Sequence, residues 1–481
     1  MIFNSIDFTV FFSVFFLLYW LVGRINLKSQ NLLLLAGSYF FYAWWDWRFL
    51  SLLVGSSLFN YIVGLCMSKT DDEKIQQRWL YIGIAQGILA LFFFKYYNFF
   101  VTSFADAFSL FNIPLKVETL NIILPLGISF YTFRTMSYLM DIYNGKIEAE
   151  KDWVSFFNYV AFFPSLLSGP IDRATTFLPQ IEKERKFNYL QATDGMRQIL
   201  WGLFKKIVVA DNCAELANLI FDQYTIWSAG STLFFGAFFF TVQLYADFSG
   251  YSDMAIGFSK LLGFNISKNF DFPYFSQNIV EYWRKWHISL TSWLMDYVFT
   301  PLSFTFRKYG KLGMIMAVMA NFTIVGLWHG ASWSYVMFGV IHGCFFIPAI
   351  LNGTMNVKKV VAKGKLIPSV REVLNMATTF FIIILINIVF RAETLTKAID
   401  FYSRIITNSP FKYPELRAPK VAVLSAVVFF TIEWIGREQN YAIQTIGANW
   451  HRAFRFVFYY ALIMAIIFFS GVETQFVYFK F

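Results

Sequence analysis

Side chains suited to acid–base chemistry are scarce in this chain of 481 residues, which has only four histidines: His287, His329, His342 and His451. Imidazole exchanges a proton most readily near neutral pH, so each histidine is a candidate general base. The chain contains no GxSxG nucleophile elbow, no HExxH zinc pair and no P-loop. Any acid–base catalysis is therefore predicted to rest on histidine, without a bound metal or a permanent cofactor.

His329 has the most distinctive setting of the four. It follows the apolar run 312–328 and precedes another that starts at Ala331. An ionisable side chain between two such runs is costly unless it faces a polar cavity or a partner. Gly326 and Gly330 flank it and allow a backbone or a ligand to come close. We expect His329 to be catalytic; a hydrogen-bonded histidine that packs helices together is the alternative.

The setting of His287 depends on a helix predicted over residues 279–298. At 100° per residue, apolar side chains gather on one side of that helix and most charged and hydroxyl side chains on the other. Such a helix suits a membrane interface or the wall of a funnel. His287 falls within the apolar face, so we expect it to point toward the bundle as a second active-site histidine. A packing role is again the alternative.

The remaining polar candidates are predicted to be structural. His342 comes 13 residues after His329, which turns it about 220° away on a continuous helix. His451 lies in a sequence, NWHR, that is typical of a membrane interface. Asp247 and Asp253 interrupt an apolar run and should face the interior and pair there. We favour a role in tying helices together, with orientation of a catalytic histidine as the alternative.

The composition identifies a polytopic membrane protein. Hydrophobic residues make up 57% of the chain and charged residues 15%, whereas globular domains typically hold roughly 45–50% and 25%. Soluble and disordered classes are therefore excluded. The three cysteines form no CxxC pair, which argues against a disulfide framework and a zinc site. In such a protein the net charge of +10 marks cytoplasmic loops and lipid contact rather than nucleic-acid binding.

Apolar stretches recur along the whole sequence, and we expect about 11–12 of them to cross the membrane. Shorter stretches are predicted to be re-entrant or amphipathic. The predicted fold is an all-α membrane bundle, with one multi-pass domain over residues 1–481 and a histidine-bearing core over 243–343. The run 8–23 is predicted to be a retained first span, and Arg24 and Lys28 place the loop after it in the cytoplasm.

Three long loops are basic. Their positive side chains predict cytoplasmic loops in contact with anionic lipids, or alternatively a docking site for a phosphate-bearing donor. The basic residues concerned are Lys69, Lys74, Arg78, Lys183, Arg185, Lys186, Arg197, Lys205, Lys206, Lys358, Lys359, Lys363, Lys365 and Arg371.

Three blocks that contain the aspartates and the two candidate histidines resemble the membrane-bound O-acyltransferase family, and specifically its bacterial alginate O-acetylation branch. They are DFSGYSDMAIG at 247–257, YWRKWHISL at 282–290 and LWHGASW at 327–333. Shorter blocks at 124–130, 168–171, 390–394 and 476–481 also look familial, so the resemblance extends over nearly the whole chain. One segment departs from the pattern: alginate-type relatives carry a glycine-rich basic loop where this chain has 301–310, PLSFTFRKYG.

The resemblance implies a multi-helix fold with a tunnel or funnel at membrane depth, in a bacterial inner membrane. It implies transfer of an acetyl group from a cytoplasmic thioester, most simply acetyl-CoA, to a hydroxyl of an exported polysaccharide. It assigns the family's active-site histidines to His329 and His287. It also suggests an extracytoplasmic esterase-like partner to which the acetyl group is handed. The departure at 301–310 bears on the acceptor rather than on the chemistry.

Two other functions stay open at this point. A D-alanyl transferase acting on teichoic acid also resembles this family, and it would take its acyl group from a carrier protein. A polysaccharide or acyl transporter without enzymatic activity is the other alternative. It would leave the two tryptophan-flanked histidines without an explanation.

Overall fold

All regular elements in the described part of the chain are helices, which confirms the expected all-α class. The computed structural model describes residues 1–355, 361–409, 411–416 and 419–477. The helices pack as two compact units, of which the first comprises residues 1–189 and 261–267 and the second 190–260 and 268–481. The prediction of one domain with a core at 243–343 stays a prediction.

The first unit contains nine α-helices and a short π-helical turn at Phe92–Tyr96 within its described residues. Polar side chains begin several of these helices: the side chains of Ser5, Asn26 and Asp72 each accept a hydrogen bond from a backbone N–H of the first turn. The nine helices are α1 (Ile6–Val22), α2 (Leu27–Ala43), α3 (Arg48–Met67), α4 (Glu73–Leu91), α5 (Tyr97–Ser109), α6 (Ile128–Tyr143), α7 (Trp153–Ala161), α8 (Phe163–Leu166) and α9 (Ala174–Ile181).

The second unit holds all four histidines. π-Helical turns at Phe204–Ala210 and Met295–Phe299 interrupt its α-helices, and short 3-10 turns lie at Pro273–Phe275 and Arg307–Tyr309. Its α-helices are α10 (Tyr189–Leu203), α11 (Asp211–Asp222), α12 (Gly230–Leu261), α13 (Ile279–Lys285), α14 (Ile288–Leu294), α15 (Thr300–Thr305), α16 (Gly310–His329), α17 (Trp333–Leu351), α18 (Val370–Arg391), α19 (Leu395–Thr407), α20 (Lys420–Gly436) and α21 (Arg452–Phe468).

Six helices of the described chain are long and apolar enough to cross a membrane, so the protein is a multi-pass membrane protein. A seventh helix, Ile6–Val22, is apolar but has only 17 residues. The expected total of 11–12 spans stays a prediction. The six are Arg48–Met67, Glu73–Ser109, Gly230–Leu261, Arg307–His329, Trp333–Leu351 and Val370–Arg391.

Helices α16 and α17 form a tight hairpin whose turn carries His329. A Cβ atom built on Gly326 would lie 2.2 Å from the backbone oxygen of Tyr335, and one on Gly339 would lie 2.1 Å from that of Phe322. Only glycine allows the two backbones to come this close. The glycine predicted to admit a backbone or a ligand therefore admits the backbone of α17.

The continuous helix predicted over 279–298 is wrong. Helix α13 ends at Lys285, Trp286 is extended (φ −100°, ψ 127°), and α14 begins after His287. The break exists because residues 269–271 supply backbone partners there. The N–H of Ile288 donates to the oxygen of Asn269 at 2.8 Å, and the N–H of Asp271 donates to the oxygen of Lys285 at 2.9 Å. Side-chain periodicity contains no information about this neighbouring segment.

Two members of the basic loops are buried rather than exposed. Lys205 and Lys206 are 2% and 5% exposed, and both form ion pairs inside the second unit. They lie in the π-helical turn Phe204–Ala210, so their prediction as lipid- or donor-facing charges is wrong. Lys363, Lys365 and Arg371 are exposed as expected. Lys358 and Lys359 lie outside the described residues.

Candidate functional site

His329 ends α16 and is almost completely buried, at 3% exposure. Its ring packs edge-on against Phe338 of α17 and Phe390 of α18, with centroid distances of 5.7 and 5.1 Å. Gly330 continues in extended geometry, and Ser332 then caps α17. An imidazole at this position is held by three helices, which fixes its place but leaves its surroundings largely aromatic.

His287 lies at the break between α13 and α14 and is fully buried. Its backbone is left-handed (φ 44°, ψ 53°), a conformation that costs a non-glycine residue energy and persists only when its neighbours enforce it. The Nδ1 atom lies 2.9 Å from Oδ1 of Asn269. The predicted inward orientation of His287 is thus observed, although the local geometry differs from the helix that suggested it.

Trp328 connects the two histidines. Its indole packs against His287 at a centroid distance of 5.4 Å and against His329 at 4.9 Å. Because 5.4 Å and 4.9 Å add to 10.3 Å, the two imidazole centroids are no further apart than that. The chain therefore brings together two residues that are 42 positions apart in sequence.

Burial controls the protonation of His287. Desolvation lowers the pKa of its imidazole to about 3, since a positive charge is poorly solvated among apolar side chains. The ring stacks edge-on against Phe248 at 4.7 Å, on the side of α12. His287 is therefore neutral at physiological pH, and a neutral imidazole carries one N–H and one lone pair.

Asp247 and Asp253 contact lysines. An oxygen of Asp247 lies 3.1 Å from Nζ of Lys206, and Oδ2 of Asp253 lies 2.5 Å from Nζ of Lys205. The other oxygen of Asp247 accepts from the backbone N–H of Val477 at 2.8 Å. Both carboxylates face the interior as expected, and these contacts tie α12 to the π-helical turn and to the C-terminal segment.

The other two histidines have contacts typical of structural residues. His342 is 1% exposed, and its Nδ1 accepts a hydrogen bond from Nε1 of Trp283 at 3.0 Å. Phe338 separates it from His329. His451 is exposed and precedes α21, where its Nδ1 accepts from the N–H of Ala453.

Two cavities of the second unit lie along the α16–α17 hairpin, the larger near Pro348 and Asn352 at the end of α17 and the smaller along α16 toward His329. The larger, about 890 Å³, is lined by polar side chains that include Lys365, Arg371 and Asn375. The smaller, about 270 Å³, is mainly apolar and extends along α16 from Val318 to Val325. At 1.5 Å per residue, Val325 lies about 6 Å from His329 along the axis of α16.

The smaller cavity has a polar group at its margin and another in its wall. Arg284 lies at its margin and donates to the backbone oxygen of Met355. The side-chain oxygen of Asn321 is buried and has no hydrogen-bond partner within the described residues. The cavity can therefore accept an apolar chain that carries an N–H donor. Its end at Val325 is the one nearer to His329.

Sequence reasoning missed Asn269 and the bridging role of Trp328. Trp328 was next to a candidate and could have been suspected from its position alone. Asn269 lies in a polar connection between α12 and α13 that has no periodicity. Its importance arises only from the contact it makes across the fold, so no local signal could have identified it.

Comparison with known proteins supplies the wider context. Residues 40–358 match the sequence model of MBOAT, the membrane-bound O-acyltransferase family. The chain is 35% identical over 451 residues to a probable alginate O-acetylase AlgI of Pseudomonas aeruginosa, covering 92% of this chain and 82% of the relative. It is 36% identical over 347 residues to a peptidoglycan O-acetyltransferase of Helicobacter pylori, covering 66% and 64% of the two chains. It is also 30% identical over 232 residues to a teichoic acid D-alanyltransferase of Bacillus subtilis, covering 46% and 58%.

Proposed function

This chain belongs to the membrane-bound O-acyltransferase family and is an O-acyltransferase, and we propose that it moves an acetyl group from a cytoplasmic thioester to a hydroxyl of an exported polysaccharide. The observation that carries the proposal is the pair of buried histidines whose rings both contact Trp328. A transporter without enzymatic activity would need no such pair. Acetyl-CoA is the simplest donor.

His329 is proposed to be the general base. It takes the proton of the acceptor hydroxyl while that oxygen attacks the thioester carbonyl. The carbon–sulfur bond then breaks, the new carbon–oxygen ester bond remains, and the imidazolium returns its proton to the departing thiolate. General-base catalysis of this kind contributes typically about 10²–10⁴-fold. His287 is proposed to contact the reacting groups as well, by holding the donor or by hydrogen bonding at the developing oxyanion.

The two cavities are proposed to be the donor's route. Lys365 and Arg371 line the larger one; Lys365 lies in the basic loop before α18 and Arg371 in the first turn of α18, and such basic residues are typical of the cytoplasmic side. They would bind the phosphates of a coenzyme A donor. Its amide-containing arm would follow the smaller cavity, with Asn321 accepting from an amide N–H and the acyl group approaching His329.

The acceptor side is proposed from the relatives. Alginate and peptidoglycan are the polymers named for two of them, so an exported cell-envelope polysaccharide is the proposed acceptor, and the bacterial inner membrane the proposed location. The acetyl group would pass directly, or through an extracytoplasmic esterase-like partner. The segment 301–310, which forms α15 and a 3-10 turn, is the part in which the acceptor preference would differ.

A donor test follows from this route. Asn321→Leu removes the buried oxygen while keeping the side-chain volume close, so we expect the KM for acetyl-CoA to rise several-fold with a smaller change in kcat. Asn440→Leu, outside the two cavities, serves as the matched control. An unchanged KM in a normally inserted Asn321→Leu protein would contradict the proposed route.

The D-alanyl alternative is kept because one relative is a teichoic acid D-alanyltransferase. Membranes containing this protein can be given either radiolabelled acetyl-CoA or a carrier protein loaded with labelled D-alanine. We expect polymer-bound acetyl label that mild alkali releases, and no D-alanine label. The reverse result would replace the acetyl donor by a carrier-bound amino acid while leaving the acyl-transfer chemistry in place.

A further inference from the structure

Asn269 is fully buried and forms hydrogen bonds with several groups of the turn at His287 and with α12. Its backbone oxygen accepts from the N–H of Ile288 at 2.8 Å. Its side-chain Oδ1 accepts from Oγ of Ser289 at 3.0 Å and lies 2.9 Å from Nδ1 of His287. Its Nδ2 donates to Oγ of Ser252 on α12 at 3.1 Å. One amide therefore connects α12, the turn and the imidazole.

The orientation of this amide follows from its neighbours. The backbone N–H of Ser289 lies 3.4 Å from Oδ1, and a backbone N–H can only donate a hydrogen bond. The atom it faces must be the oxygen, so the flipped amide, which would bring an NH₂ group to that position, is disfavoured. The oxygen in turn can only accept, which requires the proton of His287 to be on Nδ1.

We propose that Asn269 is the positioning residue of the transfer site, which holds His287 as its Nδ1–H tautomer and so makes it a hydrogen-bond acceptor at Nε2. This inference rests on the proposed function, and it decides between the two roles left open for His287. Donation to an oxyanion from Nε2 would need a second proton on a ring that burial keeps neutral. His287 instead accepts a hydrogen bond and so holds the donor, for example through an amide N–H of the donor, while Asn269 prevents the ring from changing tautomer.

The charged groups around this arrangement are already paired. A small polar cavity of about 20 Å³ lies beside Asn269, lined also by Lys205, Asp253 and Glu433, and is large enough for a single water molecule. Lys205 is paired with Asp253, and Lys268 with Asp271. Glu433 accepts from Tyr245 and from Trp201. The ring of His287 also packs against Trp328 and Phe248, and the side-chain oxygen of Asn269 lies 2.9 Å from its Nδ1.

The first test changes the acceptor. In Asn269→Asp the carboxylate keeps the shape of the amide but favours the imidazolium, so the acidic limb of the pH–rate profile should move up by about 1–3 pH units. Asn269→Leu removes the acceptor and should lower kcat by on the order of 10–100-fold. Asn387→Asp, a buried asparagine that bonds to Thr241, is the matched control and should leave the limb where it is. A normally inserted Asn269→Asp protein with an unshifted limb would overturn the proposal.

The second test does not depend on activity. With only four histidines, ¹⁵N-histidine labelling resolves the tautomers by solid-state NMR, and the spectrum of His287→Gln identifies the His287 signals. We expect the Nδ1–H form in the wild-type chain; an Nε2–H form would overturn the proposal even if no Asn269 variant folded. The proposed function is tested separately, by the activity of the His287→Gln protein. Full activity of that variant would remove His287 from the proposed reaction but would not change the result for the tautomer.

Discussion

The indole of Trp328 stands edge-on to the imidazole of His287, with their centroids 5.4 Å apart and an interplanar angle of 68°. The neighbouring residue in sequence is His329, whose ring also packs on this indole. One tryptophan thus contacts two histidines, one at the end of α16 and one at the break between α13 and α14. Its size and shape set how the two imidazoles are arranged.

Trp328→Phe and Trp328→Ala should separate packing from chemistry. Truncation to alanine is expected to lower the free energy of unfolding by about 3–5 kcal/mol, because a buried aromatic leaves a large cavity. Phenylalanine should keep the fold and still reduce acetyl transfer about tenfold, since the smaller ring no longer reaches both imidazoles. Thermal unfolding in detergent and transfer assays measure the two effects. Trp450→Phe, on an exposed side chain, is the control, and wild-type transfer by Trp328→Ala would contradict the arrangement.

Gly326→Ala should disturb His329 from one turn away. The added methyl would meet the backbone oxygen of Tyr335 at 2.2 Å, so α17 has to move outward. We expect a drop in thermal stability together with at least a tenfold loss of transfer. Gly55→Ala is the matched control, because a Cβ there meets nothing within 4 Å and alanine favours a helix by about 1 kcal/mol. Equal behaviour of the two variants would show that the hairpin tolerates separation.

Lys206→Met should destabilise the second unit without changing the chemistry. The Lys206 ammonium contacts both Asp211 and Asp247, at 2.8 and 3.1 Å. Its removal leaves buried carboxylates uncompensated, which typically costs about 3–5 kcal/mol. The amount of membrane-inserted protein should fall, while transfer per inserted molecule stays within about threefold. Adding Asp247→Asn should recover part of the stability. A large fall in transfer per molecule would instead favour a role for Asp247 in orienting a histidine.

His342→Asn and His342→Leu test the structural role of the third buried histidine. Asparagine can still accept from Nε1 of Trp283, whereas leucine leaves that N–H unsatisfied at a cost of about 1–3 kcal/mol. Stability should therefore fall in the order wild type, asparagine, leucine. Transfer by the protein that folds should be similar in all three. If His342→Asn folded normally but lost transfer, His342 would have to be included in the reacting site.

The sequence predicts that His329 and His287 face the interior, which the structure shows, but not the contacts that hold them there. The position of His329 between apolar runs was sufficient to predict its burial, and the apolar face of 279–298 was sufficient to predict that His287 points inward. The helix behind the second prediction was nevertheless wrong, because the pairing of Asn269 and Asp271 with the break comes from a distant segment. Burial was inferred correctly from chemistry, and backbone geometry was not.

Charge was harder to interpret than hydrophobicity. Lys205 and Lys206 were grouped with a basic loop because positive side chains usually mark one membrane face. Their partners, Asp253 and Asp247, lie more than 40 residues further along the chain. A lysine next to solvent and a lysine paired in the interior have the same local sequence, so only the folded contacts distinguish them. The expected pairing of the two aspartates was right, and their partners were unknown.

The central claim, that His329 and His287 carry acyl transfer, is tested most directly by single-turnover transfer from labelled acetyl-CoA in reconstituted membranes. His329→Ala and His287→Ala should each lower the rate by on the order of 10²–10⁴-fold at normal insertion. His451→Asn, which keeps a cap on α21, should match wild type. Wild-type transfer by a normally inserted His329→Ala protein would contradict the account.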